Sequence, residues 1–236
     1  MSNFGYNVLG FGANASTSTG PSDDQFNLVS FKSSFEGANN GVNNVFDDAS
    51  DSNHTITKNG DVTQGSFGPF ARPDGEWSVE FDGTGDYLDA NDGVTFGTGE
   101  FTIEFFVYLN KLTQQFFFDA RPDSVNTVYP VISVNSNDTL NYYANSGNRI
   151  TSSTSEILSK NAWHHIAVCR SGTSTKMFLD GTQVGSTYSD STNYADSGRM
   201  RVGATTLHRQ LPPTNSPSHS YHKHQAALKH GRWSGN

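Results

Sequence analysis

The nine residues FTIEFFVYL, at positions 101–109, constrain the fold of this chain most strongly because their side chains alternate in character. The odd-numbered positions carry only Phe, Ile, Val and Leu, whereas the even-numbered positions include Thr102, Glu104 and Tyr108. Since successive side chains of a strand point to opposite faces, this pattern predicts a strand with one fully apolar face. It excludes an amphipathic helix, whose apolar period is about 3.6 residues.

Shorter segments of the same kind recur along the chain, separated by turn-forming residues. The chain has 17 Phe among its 236 residues, although only 33 % of its residues are hydrophobic, and no window holds a long helical apolar period. Short strands in series without helices predict an all-β, two-sheet antiparallel sandwich. The further predicted strands lie in FNLVSFKSSFE, HTIT, WSVEFDGTGDYLDA, QFFFDAR, VYPVISV and TLNYYAN.

A hairpin is predicted in WHHIAVCRSGTSTKMFLDGTQVG, residues 163–185. Trp163 to Cys169 supply apolar and β-branched groups to one strand, and the polar residues 171–175 suit a hairpin loop. The return strand follows at 177–179. Asp180-Gly181 then turns the chain again, because Gly adopts positive φ without steric cost.

Charge divides the chain into two parts. Residues 1–198 hold nine Lys and Arg and all 23 Asp and Glu, a net of 9 − 23 = −14, whereas residues 199–236 hold six Lys and Arg, five of the eight His and no acid. A basic terminal segment raises the question of nucleic acid binding. Six cations are few for that role beside so acidic a body, so contact with an acidic protein surface is the preferred interpretation.

Several function classes are disfavoured by what the sequence lacks. The opening residues have no basic and continuous apolar segments, so no secretory signal is predicted, and no stretch approaches the length of a membrane span. The single cysteine, Cys169, cannot form a disulfide within the chain and is interpreted as a small core residue.

The first 25 residues are rich in Gly, Asn, Ser and Thr but also carry large apolar groups. Phe4, Tyr6 and Phe11 are predicted to contact a partner chain, because a purely solvated arm would have no use for them. A solvated terminus is the alternative interpretation.

These segments together resemble the laminin-G-like, concanavalin-A-like jelly roll. The resemblance rests on NLVSFKSSFE, VEFDGTGDYL, FTIEFFVYL, WHHIAVCR and KMFLDGTQVGS, of which the last two are the most specific. It implies a jelly-roll sandwich over residues 26–203. It also implies that Trp163 anchors the core, that His165 lies near it, and that Asp180 and Gly181 form a tight turn.

The C-terminal part departs from the family pattern. Arg201-Val202-Gly203 matches the start of the expected ending, but the closing strand that should follow is not recognisable in residues 204–236. These residues are therefore interpreted as a basic, His-rich tail. Two origins stay open: a segment translated in a different reading frame from an ancestral gene, or a tail that contacts an acidic partner.

The opening FGYNVLGFG resembles the start of structural proteins from marine tailed bacteriophages. This resemblance implies a virion protein, either a capsid decoration or a tail or fibre protein, assembled in the host cytoplasm and present as a homo-oligomer. Its expected partners are other virion proteins, bound through the N-terminal arm, and host-surface glycans. A lectin or a glycoside hydrolase of the same fold is the alternative.

Catalysis is tested by the carboxylates of one strand. The laminarinase-like branch of the resembling fold carries Glu-X-Asp-X-X-Glu, and here Glu80 and Asp82 match the first two positions, whereas Gly85 occupies the third. A glycosidase needs a pair of carboxyl groups at a defined separation. The missing third carboxylate predicts that the protein is not an enzyme.

A calcium site is the cofactor hypothesis. Asp82 and Asp86 lie in a run of turn-associated aspartates that continues to Asp89 and Asp92, and calcium prefers several oxygen ligands. The alternative is that these are ordinary turn residues. His219, His222 and His224 suggest a transition-metal site more weakly, because three His in a polar tail are common without a metal.

Overall fold

Strands account for nearly all the regular structure of this chain. The computed structural model describes residues 26–33, 35, 45–65, 67–70, 77–110, 113–122, 127–195 and 198–204, and the backbone of 222–229. Within these ranges there is one 3-10 turn, Phe26–Leu28, and there is no α-helix. No helix among the described residues is therefore long and apolar enough to cross a membrane.

Fifteen strands are present in the described residues. They are β1 Phe31–Lys32, β2 Ile56–Asn59, β3 Thr63–Gly65, β4 Ser78–Phe81, β5 Tyr87–Ala90, β6 Phe101–Leu109, β7 Gln115–Asp119, β8 Val131–Val134, β9 Leu140–Ala144, β10 Gly147–Thr151, β11 Trp163–Ser171, β12 Ser174–Leu179, β13 Thr182–Ser189, β14 Met200–Val202 and β15 His222–Lys229.

Two antiparallel sheets form the sandwich. The large sheet has the order β13-β12-β11-β6-β15-β4-β3, with β1 also paired to β15, and the small sheet has the order β10-β9-β8-β7-β14-β5-β2. Neighbours that are distant in sequence, such as β6 and β11, show that the chain crosses between the sheets. The predicted all-β antiparallel sandwich is confirmed.

The main core lies between the sheets and follows the alternation seen in β6. Its five odd-numbered residues are buried and its four even-numbered residues are half-buried. The buried residues pack on aromatic and aliphatic groups of the small sheet, including Phe117 and Tyr142. Burying each such side chain contributes roughly 1.5–3 kcal/mol, so this one strand anchors the large sheet.

The predicted hairpin is formed by β11 and β12, with Ile166 opposite Leu179 and Ser171 opposite Ser174. Its connection is shorter than the predicted loop 171–175, because both strands continue into that segment. Asp180 and Gly181 form the next turn, at φ of 50° and 80°. Two successive positive φ values match the tight turns that suit the twist of a β-hairpin.

The backbone of residues 222–229 corrects the interpretation of the C-terminal segment as a tail without a closing strand. β15 lies between β6 and β4, with His222 opposite Leu109 and Lys229 opposite Thr102. Without it, β6 and β4 would each leave a row of backbone N–H and C=O groups unpaired inside the sheet. The sequence HKHQAALK concealed this strand because it contains none of the residues that are enriched in strands, namely Val, Ile, Thr, Phe, Tyr and Trp.

Candidate functional site

Half-buried aromatic side chains cover part of the outer face of the large sheet, away from the core. We call this surface the aromatic face; its residues are Phe67, Phe70, Phe106, Tyr108, Trp163 and His165. The pairing of β6 with β11 builds its centre, because Trp163 lies directly opposite Tyr108 and His165 directly opposite Phe106. Directly opposite residues of an antiparallel pair point to the same side of the sheet.

Phe67 and Phe70 come from the segment that follows β3 and pack on this centre. The Phe67 ring lies 5.0 Å from the ring of Tyr108 and 5.5 Å from that of Trp163. The Phe70 ring lies 5.0 Å from that of Phe106 in an edge-to-face arrangement. These separations are typical of stabilising aromatic pairs. Phe67 and Phe70 nevertheless remain 43 % and 44 % exposed, so the cluster presents apolar rings to solvent.

The position of Trp163 differs from the one that the family resemblance implied. Trp163 is half-buried on the outer face rather than in the core between the sheets. The strand register explains this position, because Trp163 pairs with Tyr108, which faces outwards. The residues of β6 on either side of Tyr108, Val107 and Leu109, are the ones that face the core. His165, two residues further along β11, also lies on the outer face rather than at the core, and its Nε2 is 3.4 Å from Oε2 of Glu104.

A second candidate site is an acidic cluster formed by Asp61, Asp82 and Asp86. Carboxylate oxygens of these three residues lie within 4.8 Å of one another. The buried Asp86 organises the cluster, because its Oδ1 accepts the N–H of Asp61 and its Oδ2 accepts the N–H of Asp82, each at 2.9 Å. Asp82 in turn accepts the N–H of Thr84 at 2.6 Å.

Burial raises the pKa of Asp86 from 3.8 to about 6, and the neighbouring charges of Asp82 and Asp61 add to this effect. The two backbone N–H donors act in the opposite direction, because they stabilise the carboxylate. Gly60 permits the close approach: a Cβ at this position would lie 2.1 Å from Oδ1 of Asp86. The turn at residues 60–61 and the turn at residues 82–86 are thus joined through one carboxyl group.

The acidic cluster fits the donor chemistry of calcium, which takes carboxylate and carbonyl oxygens. A divalent cation there would also relieve the repulsion among three carboxylates. The structure brings together the predicted ligands Asp82 and Asp86 and adds Asp61, whereas calcium itself stays a prediction. Asp89 and Asp92 lie apart from the cluster: Asp89 pairs with Arg199 and Arg201, at 2.7 and 2.8 Å, and Asp92 lies 3.0 Å from His54.

A hydrogen-bonded chain of Ser159, His164 and Asp180 lies at the start of β11, and sequence reasoning did not suggest it. His164 Nε2 is 2.8 Å from the Ser159 hydroxyl, and Nδ1 is 2.7 Å from Asp180 Oδ2. The order resembles that of a nucleophile, a base and an orienting acid. However, the Ser159 backbone N–H also lies against Nε2, at 3.2 Å, and the His165 N–H donates to Asp180 Oδ1. These contacts fix the loop that contains Ser159 and the turn that contains Asp180 to the start of β11.

The two carboxylates tested for glycosidase chemistry, Glu80 and Asp82, lie two residues apart, in β4 and in the turn that follows it. Asp82 belongs to the acidic cluster, and Gly85 is a turn residue with φ of 80°. Glu80 and Tyr108 are both partners of Lys223 in the sheet register, which places Glu80 two strands from β6. From strand spacings, Glu80 lies about 16 Å from Glu104, the other outer-face carboxylate of this region. A hydrolytic pair requires at most about 9.5 Å.

Two of the sequence-predicted groups cannot be placed. Phe4, Tyr6 and Phe11 lie outside the described residues, as does His219. His222 and His224 belong to β15, for which only the backbone is described. Their predicted roles stay predictions.

Comparison with known proteins identifies the family. Residues 82–215, more than half of the chain, match the laminin G family described as the concanavalin A-like lectin/glucanases superfamily. The chain belongs to this superfamily. No curated protein matches it in sequence.

Solved structures of the superfamily fold resemble this chain at low sequence identity. The receptor-binding domain of botulinum neurotoxin D is 10 % identical with a TM-score of 0.62, and the match covers 89 % of this chain and 50 % of that one. The binding domain of botulinum neurotoxin DC in complex with SialylT is 13 % identical with a TM-score of 0.58, covering 89 % and 49 %. The chain thus spans about half the length of these toxin domains.

A third similar structure is close in length to this chain. It is domain 4 of AbnA, an extracellular arabinanase from Geobacillus stearothermophilus, in complex with arabinotriose. The identity is 14 % and the TM-score 0.51, and the match covers 78 % of this chain and 86 % of that one. At these identities the similarity establishes the shared fold alone.

Proposed function

We propose that this chain is a non-enzymatic glycan-contact module carried on the particle of a tailed bacteriophage. The observation that carries the proposal is the aromatic face, a surface of half-exposed rings with the polar pair His165 and Glu104 beside it. Sugar rings offer a flat surface of C–H groups that stacks on aromatic rings, while their hydroxyls need a few well-placed polar partners. Binding sites for small ligands commonly combine these two features.

The similar structures support a role in carbohydrate contact. One of the toxin domains is described in complex with SialylT and the arabinanase domain in complex with arabinotriose, both of which are sugar ligands. The fold is therefore suited to sugar contact, although a shared fold does not by itself transfer a function. The aromatic face supplies the site in this chain.

The separation of carboxylates supports a role without catalysis. Glu80 and Glu104 are too far apart to act as acid and base on one glycosidic bond, and the third motif position is Gly85. The Ser159 hydroxyl is held with its own backbone N–H against a single imidazole nitrogen. This arrangement favours a structural role for Ser159, in which it fixes a loop to β11, over a role as a catalytic nucleophile.

The placement on a phage particle rests on the sequence. The opening FGYNVLGFG resembles structural proteins of marine tailed phages, and Phe4, Tyr6 and Phe11 would anchor the chain to other virion proteins. In this proposal the sandwich is displayed in several copies as a capsid decoration or a tail or fibre component. The particle is assembled in the host cytoplasm, and the aromatic face meets glycans of the host surface.

Glycan binding is tested with the whole chain on a glycan array, followed by calorimetry on the strongest ligand. Trp163→Ala removes the centre of the aromatic face and should weaken binding at least tenfold. Tyr143→Ala is the matched control, because Tyr143 is a half-buried aromatic residue on the outer face of the small sheet. Equal binding by wild type and Trp163→Ala would refute the site.

Catalysis and placement need separate tests. Incubation with β-glucans should release no reducing sugar, and any activity that Glu80→Gln abolishes would contradict the non-enzymatic role.

Labelled antibody against the sandwich should decorate purified phage particles in electron micrographs. Particles that lack the protein would refute the virion role without affecting the glycan site.

A further inference from the structure

Three rings at one end of the aromatic face, those of Phe67, Tyr108 and Trp163, contact one another at different angles. The Phe67 ring lies within 30° of parallel to the indole of Trp163, with the ring centres 5.5 Å apart. The Tyr108 ring meets Phe67 at 86° and Trp163 at 58°. Of these two neighbours, Phe67 is therefore the one that covers a face of the indole. A near-parallel ring holds the position in which a sugar ring would stack on Trp163.

The indole nitrogen of Trp163 is unsatisfied in this arrangement of rings. Its Nε1–H is buried, and no acceptor among the described residues forms a hydrogen bond with it. A buried indole N–H usually has an acceptor, and leaving such a donor unsatisfied is unfavourable. The covered indole therefore lacks a hydrogen bond that a sugar hydroxyl or ring oxygen could supply.

The backbone of Phe67 is held in place, so movement of its ring requires rotation of the side chain. Its carbonyl oxygen accepts a hydrogen bond from the hydroxyl of Ser78, which is 1 % exposed. Ser78 alternates with the core residues Val79 and Phe81 and therefore points to the outer face, where the segment that contains Phe67 covers it. The Phe67 ring is itself exposed on its solvent side, and exposed side chains change rotamer within nanoseconds.

We infer that Phe67 is a gate over Trp163: its ring covers the indole in the absence of ligand and rotates away when a sugar ring takes its place. This inference rests on the proposed glycan function and concerns the same site. The sugar would supply both the stacking contact and the acceptor for Nε1. Because only molecules with an open gate can bind, the apparent affinity is lower than the intrinsic affinity by the fraction that is open. A ligand displaces the ring only if it offers a flat face with an oxygen beside it, as a sugar does.

Calorimetry tests the gate with the oligosaccharide that binds most strongly on the glycan array. Phe67→Ala should bind it at least about threefold more tightly than the wild type, as expected if the gate is open in about a third of the molecules or fewer. Phe70→Ala is the matched control, because Phe70 is exposed to the same degree but lies edge-to-face on Phe106 rather than over Trp163. Phe70→Ala should not tighten binding. Weaker or unchanged binding by Phe67→Ala would overturn the gate.

A fluorine label on the Phe67 ring, introduced as para-fluorophenylalanine, reports the direction of the movement. The difference between its fluorine NMR shifts in water and in heavy water measures the exposure of the ring to solvent. The gate predicts that this difference increases when the same oligosaccharide is added, because the ring leaves the indole. A decrease or no change would mean that the ring stays on Trp163 as part of the stacking surface, and would also overturn the gate.

The outcomes separate the gate from the proposed function when the wild type, Trp163→Ala and Phe67→Ala are applied to the same array. Binding that is lost in Trp163→Ala but is not tightened in Phe67→Ala would leave the glycan site standing without a gate. Binding by Phe67→Ala alone would support a gate that is closed in nearly all wild-type molecules. Binding by none of the three proteins would remove both proposals.

Discussion

At the scale of single residues, folding raises the pKa of Asp86, and this shift can be tested. Its pKa is raised from 3.8 to about 6, so between these values the folded protein binds this proton more readily than the unfolded chain does. Asp86 therefore contributes to the free energy of unfolding at low pH, and this contribution is lost as the pH rises through about 6. Asp82→Asn removes one repelling charge, so carboxyl chemical shifts should show the Asp86 titration midpoint at a lower pH. An unchanged midpoint would contradict the coupling.

Calcium would act on the same three carboxylates. Millimolar calcium should raise the thermal midpoint of the wild type by a few degrees at pH 7.5, because an ion that binds only the folded state stabilises it. The effect should diminish at pH 5, where Asp86 is protonated, and should vanish in Asp61→Asn and Asp82→Asn. Asp138→Asn, in a hairpin turn outside the cluster, is the control. Calorimetry that detects no calcium binding to the wild type would refute the site.

Ser159 provides a residue-scale test of the non-enzymatic interpretation. A fluorophosphonate probe labels serines that an adjacent base activates. We expect no labelling of Ser159, because its backbone N–H and hydroxyl both contact the same imidazole nitrogen. Mass spectrometry of probe-treated protein checks this, with a known serine hydrolase as the positive control. Labelling that is lost in His164→Ala would show an activated nucleophile.

The sequence predicted some of the residues of these sites and not others. Asp82 and Asp86 could be predicted as a pair because they share one turn. Asp61 joins them through a contact between two turns that are distant in sequence, which no local sequence pattern indicates. The aromatic face was missed for a different reason. Phe106 and Tyr108 appeared only as the second face of a strand, and Phe67 and Phe70 lie in a segment without strand periodicity.

At the scale of elements, the position of β15 gives a prediction about the C-terminal segment. Deleting residues 205–236 should lower the thermal midpoint by about 10 °C or more, or prevent folding, because β6 and β4 would lose the strand that pairs with both. A loss of several kcal/mol corresponds to such a shift in a domain of this size. Deleting only residues 230–236 keeps β15 and should leave the midpoint nearly unchanged, as circular dichroism can show.

A normal midpoint in the chain that ends at residue 204 would contradict the closing role of β15. It would favour the hypothesis that residues 204–236 come from a different reading frame, since such a segment would not have been selected to complete a sheet. β6 was predictable from the alternation of its own residues, and β11 from its apolar run and the hairpin loop that follows it. β15 was not, because its place depends on the unpaired edges of two other strands rather than on its own residues.

At the scale of the whole molecule, the sandwich separates two kinds of surface. The aromatic face lies on the outer side of the large sheet, whereas the acidic cluster lies in the turns that follow β2 and β4. A ligand on the face and an ion in the turns would therefore contact different elements. Loss of calcium should affect stability more than glycan binding, so the two proposals can be tested independently in the same protein.

The last prediction concerns the proposed attachment of the molecule to a phage particle through residues 1–25. Burying an apolar side chain contributes roughly 1.5–3 kcal/mol, whereas fixing each backbone residue costs roughly 1–2 kcal/mol. Phe4, Tyr6 and Phe11 could therefore hold a Gly-rich arm on a partner only if its backbone also forms hydrogen bonds, as in a strand added to a partner's sheet edge.

Deleting residues 2–12 should leave the thermal midpoint of the isolated sandwich nearly unchanged and abolish incorporation into particles. Phe4→Ala combined with Phe11→Ala tests the side chains while preserving the length of the arm, and should reduce incorporation in proportion to the lost apolar contact. Asn14→Ala, a polar residue of the same segment, is the control. Incorporation is measured by immunoblot of purified particles. Normal incorporation together with a lowered midpoint would place the arm in the core of its own domain, and another surface would then have to attach the sandwich to the particle.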